Sequence, residues 1–467
     1  MLAVDEFLRD TYFALRMLRK SRVFSAVAVA TIALGIGVNT AVFGVINAII
    51  FRPLPLKDSA RLEAIATFRA SAPALRPVSA PDLGDYRAAT REVFDDICGY
   101  TVGFMGLAHQ GGGPERVLVT WVTGNYFSLP QDHPLRAIRK LVDEVLRAMA
   151  KEFEGLYANT GRPSVPPERL FRAVLLQIFY TVRSERLLME QMNYNLLFRW
   201  FVGLEMDEPV WNHAVFSKNR ERLLNQEVAR AFFRRVLAQA KPHLSDEHFS
   251  VDGTLIEAWA SQKSFQKKDG GDDEPGQFRG EKRSNDTHES KTDPEARLYR
   301  KGNGQEAKLG YLGHVLMENR NGLIVNAMLT QADGTAERDA ALLMMYRQWR
   351  SRRQRRRSGP MSIGADKAYD THDFVDTARE MDFRPHVTQN VNRPGGSAID
   401  GRTTRHESYR ISQQKRPLIE KAFGWMKQTG GIRKTKLRGL AKVAWQFLMT
   451  TAAFNLWRLQ KIQMAEV

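Results

Sequence analysis

Residues 23–51, VFSAVAVATIALGIGVNTAVFGVINAIIF, carry no charged side chain across 29 consecutive positions. A helix crossing a bilayer needs about 20 apolar residues, so this stretch is long enough to span one. It is too long for a signal-peptide core, and no small-residue cleavage site follows it. A helix buried in a soluble core is the alternative that composition leaves open. Arg16, Arg19, Lys20 and Arg22 precede the stretch and predict a cytoplasmic amino terminus, although Arg52, Lys57 and Arg61 follow it. The expected layout is a cytoplasmic amphipathic lead over 1–22 and a transmembrane helix over 23–52, with the remainder starting on the outer side.

The chain has 467 residues, 43% of them hydrophobic, which is enough for several domains with packed cores. Its formal charge of +17 is uneven: residues 1–130 hold +2 and residues 131–467 hold +15. A polyanionic partner suits the second part, as does a simply soluble basic surface. Cys98 is the only cysteine, which excludes an intrachain disulfide and a multi-cysteine zinc site. No glycine-rich phosphate loop precedes a helix, so nucleotide hydrolysis is not indicated.

After residue 130 the pattern changes. DHPLRAIRKLVDEVLRAMAKEFEGLY and the segments that follow have helical periodicity, and residues 131–242 read as an all-helical module. From 246 the pattern turns to strands. EHFSVDGT and MSIGADKAYD each read as a strand ending in a turn. KLGYLGHVLMENRNGLIVNAMLTQADG reads as a hairpin turning at Asn321-Gly322. Residues 263–292 are polar and glycine-rich and read as a disordered insertion. The fold class expected is α+β multidomain: one amino-terminal membrane helix, a helical module, then a mixed sheet flanked by helices over 246–460.

Asp252 and Asp366 sit where strands end, the position at which α/β folds gather ligand sites. An Asp there also serves simply as a turn former. The stretch RPLIEKAFGWMK (416–427) reads as one amphipathic helix. At about 100° per residue, Arg416, Glu420 and Lys427 share a narrow polar stripe, opposite Leu418, Ile419, Ala422, Phe423 and Met426. A surface ion pair explains that stripe, and so does a third carboxylate for a metal. Oxygen-only ligands favour Mg²⁺ or Mn²⁺, and two such ions about 3.5–4 Å apart suit phosphodiester chemistry. Arg416 and Lys427 would then hold phosphates. RQWRSRRQRRR (347–357) places Arg347, Arg350, Arg352 and Arg353 among seven arginines that could bind DNA. Lys218 and Arg220 in the helical module are further candidates for phosphate contacts, or part of a solvated face.

Two resemblances follow from these phrases. FALRMLRKSRVFSAVAVATIALGIGVNTAVFGVINAIIFRPLP, VSAPDLGDYRAATREVFDDICGY and VTGNYFSL resemble the opening helix and extracytoplasmic core of FtsX-like permeases of the macrolide-exporter type. That likeness covers about residues 5–128, so 53–130 would be a truncated core fragment. Residues ~131–460 resemble a DDE transposase of a bacterial insertion sequence in the insertion-sequence-five group. The resemblance rests on the DGT-like and ADKAYD-like turns, on DHPLRAIRKLVDE, GRPSVPPERLFRAVLLQ, SERLLMEQ and SKTDPEARLYRKG, and on a Tyr-x2-Arg-x3-Glu-x6-Lys signature met by Arg416, Glu420 and Lys427. Gln413 stands where that signature has Tyr.

The second resemblance implies an RNase H-like catalytic domain over 246–460 and a DNA-binding helical domain over 131–242. It implies a catalytic and metal-binding triad of Asp252, Asp366 and Glu420 with Mg²⁺ or Mn²⁺, two ions in all. Lys367 and Tyr369, in the ADKAYD-like turn, join Arg416 and Lys427 as expected DNA contacts. The implied partners are DNA, as terminal inverted repeats and target, and a second copy of the chain, with membrane contact through 23–52. Transposition belongs in the cytoplasm or nucleoid, whereas an inserted 23–52 helix would anchor the chain in the membrane and carry the second part outside. A membrane transport protein, or a DNA-binding remnant without catalysis, are the alternative functions.

Overall fold

The computed structural model describes residues 133–154, 165–205, 208–268, 283–356 apart from 301, 303 and 305, and 359–466. Before residue 133 it describes scattered helical positions between 12 and 37 and most of 67–107 and 115–122. The chain divides into two compact units, Met1–Tyr126 and Phe127–Val467.

In the first unit, β1 (Thr67–Arg69) pairs antiparallel with β2 (Ala72–Arg76). Helix α1 (Ala80–Ala89) leads to a second antiparallel pair, β3 (Tyr100–Leu107) with β4 (Glu115–Val122), in register from Tyr100↔Val122 to Leu107↔Glu115. Among the described residues no helix is long and apolar enough to cross a membrane. Most of the span expected at 23–52, and of the lead at 1–22, lies outside the described residues.

The second unit opens with helices only: α2 (Pro134–Ala148), α3 (Ala150–Glu154), α4 (Pro167–Phe179), α5 (Glu185–Tyr194), α6 (Leu196–Val202), α7 (His213–Leu223) and α8 (Gln226–Ala240). Their starts are encoded locally. Pro134 opens α2 at a position where no backbone N–H is required, and His133 Nδ1 accepts from Leu135 N at 3.2 Å. Asn212 and Asn225 cap α7 and α8 by accepting from the second helical N–H, each at 2.8 Å. Leu135, Ile138, Leu141, Val142, Val145 and Leu146 of α2 fall on one stripe and are buried together.

A mixed sheet follows. Its order is β10 (Ile324–Gln331), β9 (Lys308–Glu318), β5 (His248–Glu257), β11 (Met361–Ala365), β12 (Phe383–Val387). Short β8 (Arg297–Tyr299) also pairs with β9. Strands β5, β9 and β10 form an antiparallel meander, whereas β11 runs parallel to both β5 and β12. The parallel pairings require crossovers, which α9 (Ala336–Gln354) and α10 (His372–Glu380) supply. Then come α11 (Gly401–Thr404), α12 (Glu407–Lys415), α13 (Leu418–Gln428) and the long α14 (Leu440–Ala465). One face of the sheet packs with α9 and α10 through Phe249, Val251, Leu316, Met344, Ile363 and Phe374. The other packs with α13, α14 and the amino-terminal helices. At Gly313 the packing leaves no room for a side chain: a β-carbon there would lie 2.5 Å from the Phe447 ring of α14.

Three expectations need correction. The insertion at 263–292 is ordered at both ends, where β6 (Phe265–Lys267) pairs with β7 (His288–Ser290); residues 269–282 lie outside the described residues. Backbone pairing and the stacking of Phe265 on His288, with centroids 5.6 Å apart, supply the order that composition hid. The helical module and the sheet do not form separate cores, because Leu146, Phe171 and Phe232 join Tyr311, Val315, Phe447 and Leu456 in one apolar cluster. Finally, 416–427 is not one helix. Arg416 ends α12, and α13 starts at Leu418 after Pro417, whose ring nitrogen has no hydrogen to continue the ladder.

Candidate active site

Strands β5 and β11 lie side by side and parallel, with Ser362 opposite His248, Ile363 opposite Phe249 and Gly364 opposite Ser250. Continuing that register by two residues sets Asp366 beside Asp252, on strands about 4.8 Å apart. Asp366 follows the last residue of β11 in extended conformation (φ −80°, ψ 177°) and begins a single 3-10 turn, Lys367–Tyr369. Its Oδ1 accepts from Ala368 N at 2.8 Å. Asp252 Oδ1 accepts from Gly253 N at 2.8 Å. Both carboxylates are half-buried. They stand at the carboxyl end of β11, where β5 runs on without that neighbour and opens a cleft.

Helix α13 packs against β5 with Ile419, Ala422, Phe423 and Met426 buried, as the apolar stripe predicts. Glu420 lies on its outer face with its side chain 61% exposed, 3.7 Å from Arg416 Nη1. Arg416 Nε is buried without a hydrogen-bond partner. Lys427 is half-buried. Gln413, at the position where the signature carries Tyr, ties α12 to the end of β12: its Nε2 donates to His386 O at 2.5 Å, and its Oε1 accepts from Thr388 Oγ1 at 2.8 Å. Among the described residues no three His, Cys, Asp or Glu side chains are gathered closely enough to enclose a metal ion.

A residue that the sequence reading passed over stands next to the aspartates. Glu337, in the first turn of α9, fills the space beside Gly253: a β-carbon on Gly253 would lie 2.7 Å from Glu337 Oε1. Tyr369 packs edge-on against Phe374, and its hydroxyl is buried with no hydrogen-bond partner. Burial raises the pKa of Tyr369 well above the usual phenol value, and the negative charges of Glu337, Asp252 and Asp366 raise it further, in that order. Glycine after Asp252 in VDGT is a sequence signal for close approach, although it does not say of what. An acidic residue opening a helix reads merely as a partner of the helix dipole.

The expected DNA contacts divide. Tyr369 is corrected: only 1% of it is exposed, so it is core and cannot touch DNA. The ADKAYD phrase hides this because the 3-10 turn rotates the ring inward. Lys367 and Lys218 are exposed. Arg220 is paired with Glu185. Arg347 and Arg350 are exposed on α9. Arg352 is 8% exposed and donates to Asp246 O. Arg353 stacks over Trp349 at 5.2 Å. Trp349, Arg352, Arg353, Arg379, Asp382 and Arg384 line a cleft of about 540 Å³. Met361 and Phe383, the first residues of β11 and β12, also line it, so it lies at the opposite end of these strands from Asp366.

Two family models match the chain: "Transposase domain (DUF772)" over residues 126–222 and "Transposase DDE domain" over residues 375–460. The second includes Glu420 and stops short of both aspartates. No curated protein matches significantly. Among solved structures, the piggyBac transposase synaptic complex with hairpin DNA is similar at 10% identity and TM-score 0.34, over 73% of this chain and 78% of that one. The Mos1 mariner paired-end complex with Mn is similar at 12% identity and TM-score 0.17, over 69% of this chain and 86% of that one. Likeness at these TM-scores is too loose to place any residue.

Proposed function

We propose that the chain is a DNA transposase of the DDE class, which cuts DNA at the ends of its element and joins the freed ends to target DNA. One observation carries the reading: Asp366 falls in register beside Asp252 at the open end of the central parallel strands, within a chain that two transposase domain models match. The strand order, three antiparallel strands followed by two parallel ones, supports an RNase H-like domain.

Asp252 and Asp366 are the residues proposed to hold Mg²⁺ or Mn²⁺, with Glu420 as the third carboxylate. Their donor atoms are all oxygen, which suits these hard cations, and carboxylates this close repel one another unless a cation lies between them. Bound ions would supply activation of the attacking oxygen and stabilisation of the leaving one. The protein residues do the rest. Arg416 and Lys427 flank Glu420 and neutralise phosphate charge, the arginine as a fork and the lysine as a point charge. Exposed Lys367, next to Asp366, adds another cation at the cleft. Water attacks the phosphorus in line, its proton passes to solvent, and the 3′ oxygen leaves as a hydroxyl. That hydroxyl then attacks a target phosphodiester and expels the next 3′ oxygen. No covalent intermediate with the protein is needed.

Residues 5–128, with their likeness to a permease fragment, are proposed to be fused to the transposase part. The boundary between the compact units, Tyr126/Phe127, supports a junction there. The test is cleavage of the inverted repeats that flank the coding region, in Mg²⁺, by the full-length chain and by Asp252→Asn. Wild-type cutting that vanishes in the variant is expected. Undiminished cutting by the variant removes the mechanism, and salt-sensitive binding without any cutting by the wild type marks a remnant.

A further inference from the structure

The carboxylate that most closely crowds the strand carrying Asp252 is neither Asp366 nor Glu420. Gly253 has no side chain, and Glu337 from α9 occupies the place where one would be. An alanine there would meet the Glu337 carboxylate within 3 Å at three atoms, Oε1, Cγ and Cδ. Helix α9 packs on the face of the sheet opposite α13, so Glu337 approaches from the other side to Glu420. Where β11 stops at Ala365, β5 loses that neighbour, and groups from both faces can reach the same cleft.

A second observation points into this place. Tyr369 is a fully buried phenol in the α9–α10 core, and its hydroxyl has neither donor nor acceptor. Buried hydroxyls nearly always have a partner, and an orphan marks a missing water or ion. Glu337, Asp252 and Asp366 are the charged groups of like sign around it. Arg338, which follows Glu337, is the opposing cation. Three carboxylates and an unpartnered hydroxyl in one place form an oxygen-rich site that is unfavourable without a cation.

We propose that Glu337 is a fourth carboxylate of the divalent-metal site, seated beside Asp252 by the gap at Gly253, with the Tyr369 hydroxyl directed at a water of the same ion's shell. This rests on the reading of Asp252 and Asp366 as metal carboxylates. Mg²⁺ and Mn²⁺ keep several waters when protein-bound, so a hydroxyl that meets the ion through water fits their chemistry.

The test is Mn²⁺ binding by the full-length chain without DNA, read by electron paramagnetic resonance of free Mn²⁺. The variants are Glu337→Gln, Gly253→Ala and Asp252→Asn, each checked by far-ultraviolet circular dichroism. Glu337→Gln is expected to weaken Mn²⁺ binding by about 10-fold or more, in the range that altering a supporting group of a metal site produces. Gly253→Ala leaves every carboxylate in place and is expected to reproduce the loss by displacing Glu337. Wild-type affinity in both variants, with affinity lost in Asp252→Asn, overturns the role of Glu337 and leaves the proposed function standing. Failure of the wild-type chain to bind Mn²⁺ overturns the metal reading itself.

Discussion

His314 and His386 show how strongly position along the sheet controls a single side chain. Both are buried, and burial is the main cause that lowers each pKa to about 4. Asp333 opposes the shift at His314, whereas His248, Arg384 and His406 add to it at His386. His314 Nε2 shares a hydrogen bond with Thr330 Oγ1 at 2.8 Å, and His386 Nδ1 one with Ser412 Oγ at 2.6 Å. As pH falls, the unfolded chain takes up these protons near 6.5, well before the folded one does. Their contribution to stability is therefore complete above about pH 6.5 and is lost progressively down to about pH 4, at up to about 1.4 kcal/mol per pH unit for each histidine. Urea unfolding at pH 7.5 and pH 5 should show a lower midpoint at pH 5, and His314→Gln should remove part of the difference. Equal midpoints in the wild type would contradict it. Sequence told little about these histidines, because their spacing excludes a zinc pair but says nothing of burial. The same limit hid Glu337 and misassigned Tyr369: adjacency across strands is not spacing along the chain.

At the scale of elements, strands and helices were largely legible. The hairpin turning at Asn321-Gly322 forms as β9 and β10, and Gly322 takes φ 69°, which glycine adopts without strain. What the pattern could not reveal is how the turn and the sheet edge are tied down. Buried Glu318 accepts from Asn321 N at 2.9 Å, Arg320 N at 3.0 Å and Leu323 N at 3.0 Å. Asn455, in the middle of apolar α14, accepts from Ile324 N at 2.9 Å and donates to Ile324 O at 2.8 Å. A helix side chain thus does for β10 what a further strand would do, which also keeps that edge from pairing with other chains. Asn455→Leu leaves a buried N–H and C=O unpaired and should cost about 2–5 kcal/mol, at about 1–3 kcal/mol for each group. Urea unfolding measures it, and a change under about 0.5 kcal/mol would show that water takes over both bonds.

For the second compact unit, the decisive feature is α14. Fifteen of its 26 residues are buried, and they join the amino-terminal helices to one face of the sheet. The helical module and the sheet should therefore unfold as one cooperative unit. Amides of α8 and β9 should exchange with solvent through openings of the same free energy, with the same dependence on denaturant. Early, separate loss of α8 protection would show that the two parts fold independently. A shared core also has a consequence for the proposed function: DNA pulling on the helical module would load the sheet that carries Asp252 and Asp366.

Local information settled what depends on neighbours in sequence. The strands ending at aspartates, the apolar stripe of α13, the asparagine caps and the change of texture near residue 130 all follow from short-range patterns of size, charge and backbone freedom. Tertiary structure decided which of those pieces meet. It set Asp366 in register with Asp252, brought Glu337 in from the opposite face, turned Tyr369 inward, placed an arginine cleft at the far end of β11 and β12, and fused two expected domains into one core. Each of those outcomes depends on contacts between residues tens to hundreds of positions apart, and burial and charge at such contacts leave no periodic trace in the chain.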